Sequence, residues 1–164
     1  MRNKKVLFVV QAALIAAIYV VLTYFISAFN LASGAIQVRI SEALTVLPYF
    51  TPAAIPGLAI GCFLSNLLTG CLPMDVLFGS LATLIGAIGS YLLRKNKWLV
   101  PIPPIVSNTL IVPFVSAYVY GVEGSIPFFM LTVGVGEVIS CYVLGMILLN
   151  AFLPYRNIIF KNEI

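Results

Sequence analysis

Histidine is missing from this 164-residue chain, and charged residues make up only 9% of it, against about a quarter in an ordinary soluble domain. Without histidine, the commonest general base and a usual zinc ligand are gone. The three cysteines, Cys62, Cys71 and Cys141, lack any CxxC or Cys/His spacing that would hold zinc, and they read as small apolar packing residues. There is no glycine-rich phosphate loop of the GxxxxGK kind and no nucleophile beside a base. No catalytic residue, metal ligand or cofactor is therefore expected, and the chain does not read as an enzyme. Nine Lys and Arg against five Asp and Glu give a basic balance, but a nucleic-acid surface needs those residues gathered on one folded face. Here they lie between hydrophobic runs.

Those runs dominate the chain. Hydrophobic residues make up 62% of it, so lipid replaces water as the main solvent. A spanning helix needs about 20 apolar residues, which allows about six spans with short connectors and no separate soluble domain. Apolar segments run from Val6 to Ala28, Ile36 to Phe50, Ala53 to Leu68, Val76 to Leu93, Pro101 to Tyr120 and Pro127 to Phe152. The expectation is an all-α integral membrane protein, one six-helix domain over 1–164, multi-pass in the cell membrane. The start, with Arg2, Lys4 and Lys5 before an apolar run, has the outline of a signal peptide, but the run is too long for a signal core and is read as the first span. Pro48, Pro52 and Pro56 disfavour one long helix through Thr51-Pro52 and point to a tight helix-to-helix turn, with a re-entrant loop as the alternative.

Cytoplasmic loops carry the excess of Lys and Arg. Arg2, Lys4 and Lys5, then Arg94, Lys95 and Lys97, then Arg156 and Lys161 fall on one side only if four spans precede Arg94 and two follow Lys97. Both termini are thus expected in the cytoplasm. The opposite loops, Asn30 to Ala35, Gly70 to Asp75 and Gly121 to Ser125, hold no Lys or Arg but do hold Asp75 and Glu123.

An ionisable residue inside a span costs at least a few kcal/mol and marks a ligand or ion path. Arg39 and Glu42, three apart, share one helix face and can pair as a structural ion lock or line a solute cavity. By topology Asn66 and Asp75 approach them at the outer end, although Asp75 also suits a helix N-cap. Glu137 lies about 15 Å into the last span, near the midplane. Asn108, in Ser107-Asn108-Thr109, reaches a comparable depth on the fifth. These six residues are the candidate solute ligands, with Tyr118 and Phe128 as stacking faces or members of an interfacial belt. Ala12 with Ala16, and Ala13 with Ala17, form overlapping small-xxx-small pairs on the first span, as do Gly57 and Gly61 on the third, suited to close helix packing within the chain or against a partner.

The stretch Val38-Arg-Ile-Ser-Glu-Ala-Leu-Thr-Val-Leu-Pro, continuing Tyr49-Phe-Thr-Pro-Ala-Ala-Ile-Pro-Gly-Leu and Gly61 to Gly70, resembles the QueT family of substrate-binding membrane subunits. These are S components of energy-coupling-factor (ECF) transporters, linked to uptake of queuosine precursors. The resemblance implies an S-component-like bundle that binds prequeuosine-1 or queuine from outside. It also implies a transmembrane coupling subunit and two ATPase subunits as partners, with the alanine pairs as the docking face. Other readings are the same architecture carrying a different vitamin-like solute, a solitary proton-coupled carrier, or a purely structural membrane subunit.

Overall fold

The computed structural model describes residues 4–28, 39–121 and 124–160. Arg2, the Asn30 to Ala35 loop, the first residues of the second apolar segment (36–38), Glu123 and Lys161 lie outside the described residues.

Helix α1, Lys4–Ala28, is apolar along its whole length, and nothing within it breaks the backbone ladder. Arg39 follows in extended backbone, then a 3₁₀ helix over Ile40–Tyr49. Helices α2 (Ala54–Leu68) and α3 (Pro73–Leu92) run out and back, α3 starting on a proline at its first position, where the missing N–H costs nothing. Helix α4 spans Ile102–Tyr118. The last long rod is α5 (Ile126–Glu137), a π-helical stretch (Val138–Leu144) and α6 (Gly145–Phe152) in direct succession. A short 3₁₀ turn leads into α7, Arg156–Ile159. The described residues contain no strand.

Among the described residues, three helices are long and apolar enough to cross a membrane: Lys4–Ser27, Pro73–Leu92 and the 30-residue Ile126–Tyr155; Ala54–Leu68 and Ile102–Tyr118 are shorter apolar helices. The distribution of side chains is inverted relative to a water-soluble protein. Val6, Val9, Leu14, Val21, Leu77 and Ile147 project outward, while Ser41, Glu42, Thr45, Asn66, Asp75, Asn108 and Glu137 are buried. Soluble proteins almost never bury unpaired Asp or Glu. The arrangement is that of a membrane bundle.

The second apolar segment departs from the expected α-helical span. Its ten 3₁₀ residues are buried from Ser41 to Pro48, and at about 2 Å per residue they extend only about 20 Å, short of the ~30 Å hydrocarbon core. It is a core element that the other helices wrap: Leu44, Val46, Leu47 and Phe50 pack with Tyr19 of α1, Leu58 of α2 and Leu149 of α6. The π stretch lies against it, and Gly145 makes this contact close, since a methyl there would sit 2.8 Å from Val46 Cγ1. Beyond Tyr49 the chain turns tightly, as Pro48 and Pro52 foretell. Phe50 and Thr51 N–H both donate to the Leu47 carbonyl at 2.9 and 3.2 Å, and Ala54 N–H donates to the Thr51 carbonyl at 3.3 Å. The Thr51 hydroxyl donates to Gln11 Oε1 at 3.0 Å, tying the turn to the start of α1. Nearby, the Arg156 guanidinium stands 5.7 Å from the Tyr49 ring, and Lys97 donates to Asn150 Oδ1 at 3.3 Å. Lys97 of the α3–α4 connector and Arg156 after the last rod thus stand at one end of the bundle.

The small-residue pairs on α1 divide between two faces. Ala12 and Ala16 meet Gly57 and Gly61 of α2, where added methyl groups would stand 2.8 Å from the Ala12 carbonyl oxygen and 3.1 Å from Ala16 Cα. Ala13 and Ala17 are exposed. Gly57→Ala is expected to destabilise the protein by about 1–3 kcal/mol, lowering its unfolding midpoint in detergent. Gly134→Ala, whose methyl would meet Thr109 at an ordinary 3.5 Å, should leave that midpoint unchanged.

Candidate functional site

The buried polar groups gather where the 3₁₀ helix and the π stretch touch. Glu42 stands in the first turn of the 3₁₀ helix, 1% exposed. Its Oε1 accepts the Tyr19 hydroxyl of α1, whereas Oε2 is buried with no hydrogen-bond partner among the described residues. From the last rod come Glu137 and Cys141, one helical turn apart on one face. The Cys141 thiol lies 3.2 Å from Glu137 Oε2, placed to donate to it, and 3.6 Å from the Glu42 carbonyl oxygen. Thr45 donates to that same carbonyl at 2.6 Å, and its hydroxyl is 3.5 Å from Cys141 Sγ. Asn108 of α4 turns its amide toward the Glu137 carboxylate. The Glu137–Asn108 approach argued from helix depth is realised.

Donor atoms from Glu42, Glu137 and Cys141 lie within 4.8 Å of one another. By type and spacing this set would also accept a divalent cation, which the sequence alone does not suggest because Glu42 is remote in the chain. The hydrogens that Tyr19 and Cys141 place on the two carboxylates make a hydrogen-bonded polar pocket the better description. The cysteines are correspondingly more than apolar filler. Cys141 belongs to the cluster, and Cys62 accepts from Asn66 Nδ2 at 3.6 Å; both are free thiols, as is Cys71.

Arg39 does not share a helix face with Glu42 in the expected sense. It precedes the helix in extended conformation, its carbonyl accepting from Glu42 N–H at 3.0 Å and its own N–H donating to Ser140 Oγ at 3.1 Å. Its charge still acts on Tyr19, Cys62, Glu42 and Asp75. Asp75 and Asn66 flank Gly79 together. Asp75 is buried rather than a solvated cap, and no side-chain cap closes the start of α3. Its Oδ2 accepts the Tyr120 hydroxyl at 2.8 Å, and that hydroxyl in turn receives Leu72 N–H at 3.3 Å. Partial burial and the Asp75 hydrogen bond hold the Tyr120 phenol above its ordinary range.

Tyr118 and Phe128 are not brought to the cluster. Tyr118 is 76% exposed and stacks on Phe114 at 6.3 Å, and Phe128 is exposed with its ring edge-on to Phe129 at 5.9 Å. Tyr19, which the sequence reading passed over as part of an apolar run, is the aromatic residue at the site. The only available signal was its polar tip, since a fully buried tyrosine usually finds a partner for its hydroxyl. Along α1 and α2 runs a separate apolar groove of about 690 Å³, lined by Val9, Ala13, Ala17, Val20, Ile60 and Leu64 among others.

The sequence profile of the QueT transporter family matches residues 9–153. The chain belongs to the QueT transporter family. It is 36% identical over 85 residues to the queuosine precursor transporter QueT of Lactococcus lactis subsp. cremoris (strain MG1363), an alignment covering 52% of this chain and 50% of that protein. The chain thus spans about half the length of this curated relative in the matched region. No solved structure matches it. Family membership makes the buried carboxylate cluster the feature to explain.

Tyr120→Phe removes the Asp75–Tyr120–Leu72 contacts at one end of the bundle. Because Tyr120 is substantially exposed, the expected cost is small, about 0.5–1 kcal/mol, read as a lowered thermal midpoint. The wild-type advantage should persist at neutral pH and disappear as pH rises above the ordinary tyrosine range near 10, because the raised phenol pKa favours the native state only while the phenol keeps its proton.

Proposed function

We propose that this chain is the solute-capturing membrane subunit of an ECF-type importer, taking a 7-deazaguanine, prequeuosine-1 or queuine, from outside the cell. The observation that carries this reading is the fully buried pair of carboxylates, Glu42 and Glu137, within reach of one another and of Asn108 inside a lipid-solvated bundle. Buried charge of this kind is costly and persists where a ligand repays it. The name of the Lactococcus relative supports the solute class.

A guanine-like ring presents adjacent ring N–H and amino donors, which one carboxylate accepts as a bidentate pair. Glu137 reads that edge, and the Asn108 amide, able to donate and accept, serves the neighbouring ring oxygen or nitrogen. An aminomethyl cation, where the ligand carries one, needs a further counter-charge, for which Glu42 and Asp75 stand near. The basic end of the bundle faces the cytoplasm, following the distribution of Lys and Arg, and the chain is multi-pass in the cell membrane. Energy comes from outside the chain, through a transmembrane coupling subunit and two ATPases. The α1–α2 groove, lined by Ala12 and Ala16 as well as Ala13 and Ala17, offers the docking face, with Ala13 and Ala17 its more exposed pair.

Calorimetry on the purified chain with prequeuosine-1, queuine, guanine and a vitamin panel tests the solute. Submicromolar binding of a deazaguanine is expected. Tight binding of another vitamin would keep the transporter and overturn the solute, and binding of nothing by a folded sample would overturn both. Glu137→Gln preserves size but removes the acceptor-only carboxylate, and should weaken binding at least tenfold without lowering the unfolding midpoint. Leucines at Ala13 and Ala17 should block copurification with the coupling module while solute affinity stays unchanged.

A further inference from the structure

Three buried carboxylates bear on how the site meets the polar end of its ligand, and the hydrogen bonds distinguish them. Asp75 Oδ2 is occupied by Tyr120, which is itself held by Leu72 N–H. Glu137 has the Cys141 thiol on Oε2 and the Asn108 amide beside it. Glu42 alone shows a divided carboxylate: Oε1 is taken by the Tyr19 hydroxyl, and Oε2, buried on a residue 1% exposed, receives nothing from the described residues. A buried acceptor without a donor costs the full desolvation penalty of the group. An outside donor would recover it.

We infer that Tyr19 is a positioning residue: by binding Oε1 it fixes the rotation of the Glu42 carboxylate and keeps Oε2 open, and Oε2 takes the cationic amine of the ligand. This deepens the proposed function and rests on it. The geometry favours Glu42 over Asp75 as the counter-charge. Tyr19 is rigidly placed for the role, 1% exposed and packed in the core against Leu44 and Leu58, with its Cβ so near Gly61 that a methyl there would stand 2.8 Å away. A side chain wedged in this way cannot follow the carboxylate if it turns, so the carboxylate must hold to the phenol. The remaining charged and polar neighbours, Arg39 at the head of the 3₁₀ helix, Cys62 on α2 and Cys141 on the π stretch, sit around the same pair, and of these only Arg39 is cationic. Arg39 offsets one carboxylate. The second awaits the ligand's own positive charge.

The test compares two ligands differing only at the amine, prequeuosine-1 and 7-methyl-7-deazaguanine, on the full chain by calorimetry. Wild type should favour the amine. Tyr19→Phe should weaken prequeuosine-1 by about tenfold and leave the methyl analogue within about twofold, so that the ratio collapses; a structural defect would weaken both alike. Glu42→Gln should collapse the ratio by itself, and adding Tyr19→Phe to it should change the ratio no further. An unchanged ratio in Tyr19→Phe, or a collapse in Asp75→Asn with Glu42→Gln unaffected, would overturn the inference while leaving the deazaguanine reading intact. If wild type binds neither compound, the functional reading falls and this inference falls with it. Should Tyr19→Phe fail to fold, the Glu42→Gln and Asp75→Asn pair still decides which carboxylate meets the amine.

Discussion

A carboxylate held away from water, with one oxygen satisfied by a wedged phenol and the other given no hydrogen bond by the described residues, sets the terms for the centre of this molecule. Moving a charge into a lipid-solvated interior costs several kcal/mol before any partner is counted. The fold answers with neighbours drawn from every side: Tyr19 from α1, Arg39 and Thr45 from the 3₁₀ segment, Glu137 and Cys141 from the last rod. Bringing them together requires backbone that ordinary α-helices do not provide. A 3₁₀ helix is narrower than an α-helix and a π turn is wider. Setting one against the other lets Cys141 Sγ reach both the Glu137 carboxylate and the Glu42 carbonyl, while Ser140 accepts the Arg39 N–H.

Around that centre, lipid solvation removes the usual rule for which side chains go inside. Leucine and valine gain little by being buried against one another when the outside is equally apolar, so the bundle is organised by small residues and polar groups. The seam of Ala12 and Ala16 with Gly57 and Gly61 shows the first of these. The Tyr120–Asp75 contact, which joins the connector after α4 to the start of α3, shows the second.

The sequence disclosed the number of apolar segments, the turn at Thr51-Pro52 and the meeting of Glu137 with Asn108, because each follows from length, proline placement or depth along a rod. Rotation about a rod is harder to read. On a helix apolar all round, no amphipathic stripe tells which face points inward. Tyr118 and Phe128 therefore read as stacking candidates although they face outward, and Tyr19 passed for core filling. Likewise the segment around Glu42 has the composition of a span. Only its packing partners show it to be a core 3₁₀ helix, buried from Ser41 to Pro48. Cys141 was within reach: its four-residue spacing from Glu137 puts both on one face, and a thiol below a buried carboxylate is not simply a hydrophobe.

The helices also differ in length by more than their role as scaffolding needs. At the usual rise, the 15 residues of α2 and the 17 of α4 amount to only about 22–26 Å, whereas the 25 residues of α1 extend about 37 Å. A hydrocarbon layer of about 30 Å cannot match both at once. It must thin beside the short pair, while the long helices lean over, each ångström of disagreement costing a fraction of a kcal/mol. A protein of this shape carries an uneven rim, and the lipid beside α2 and α4 must adjust to it.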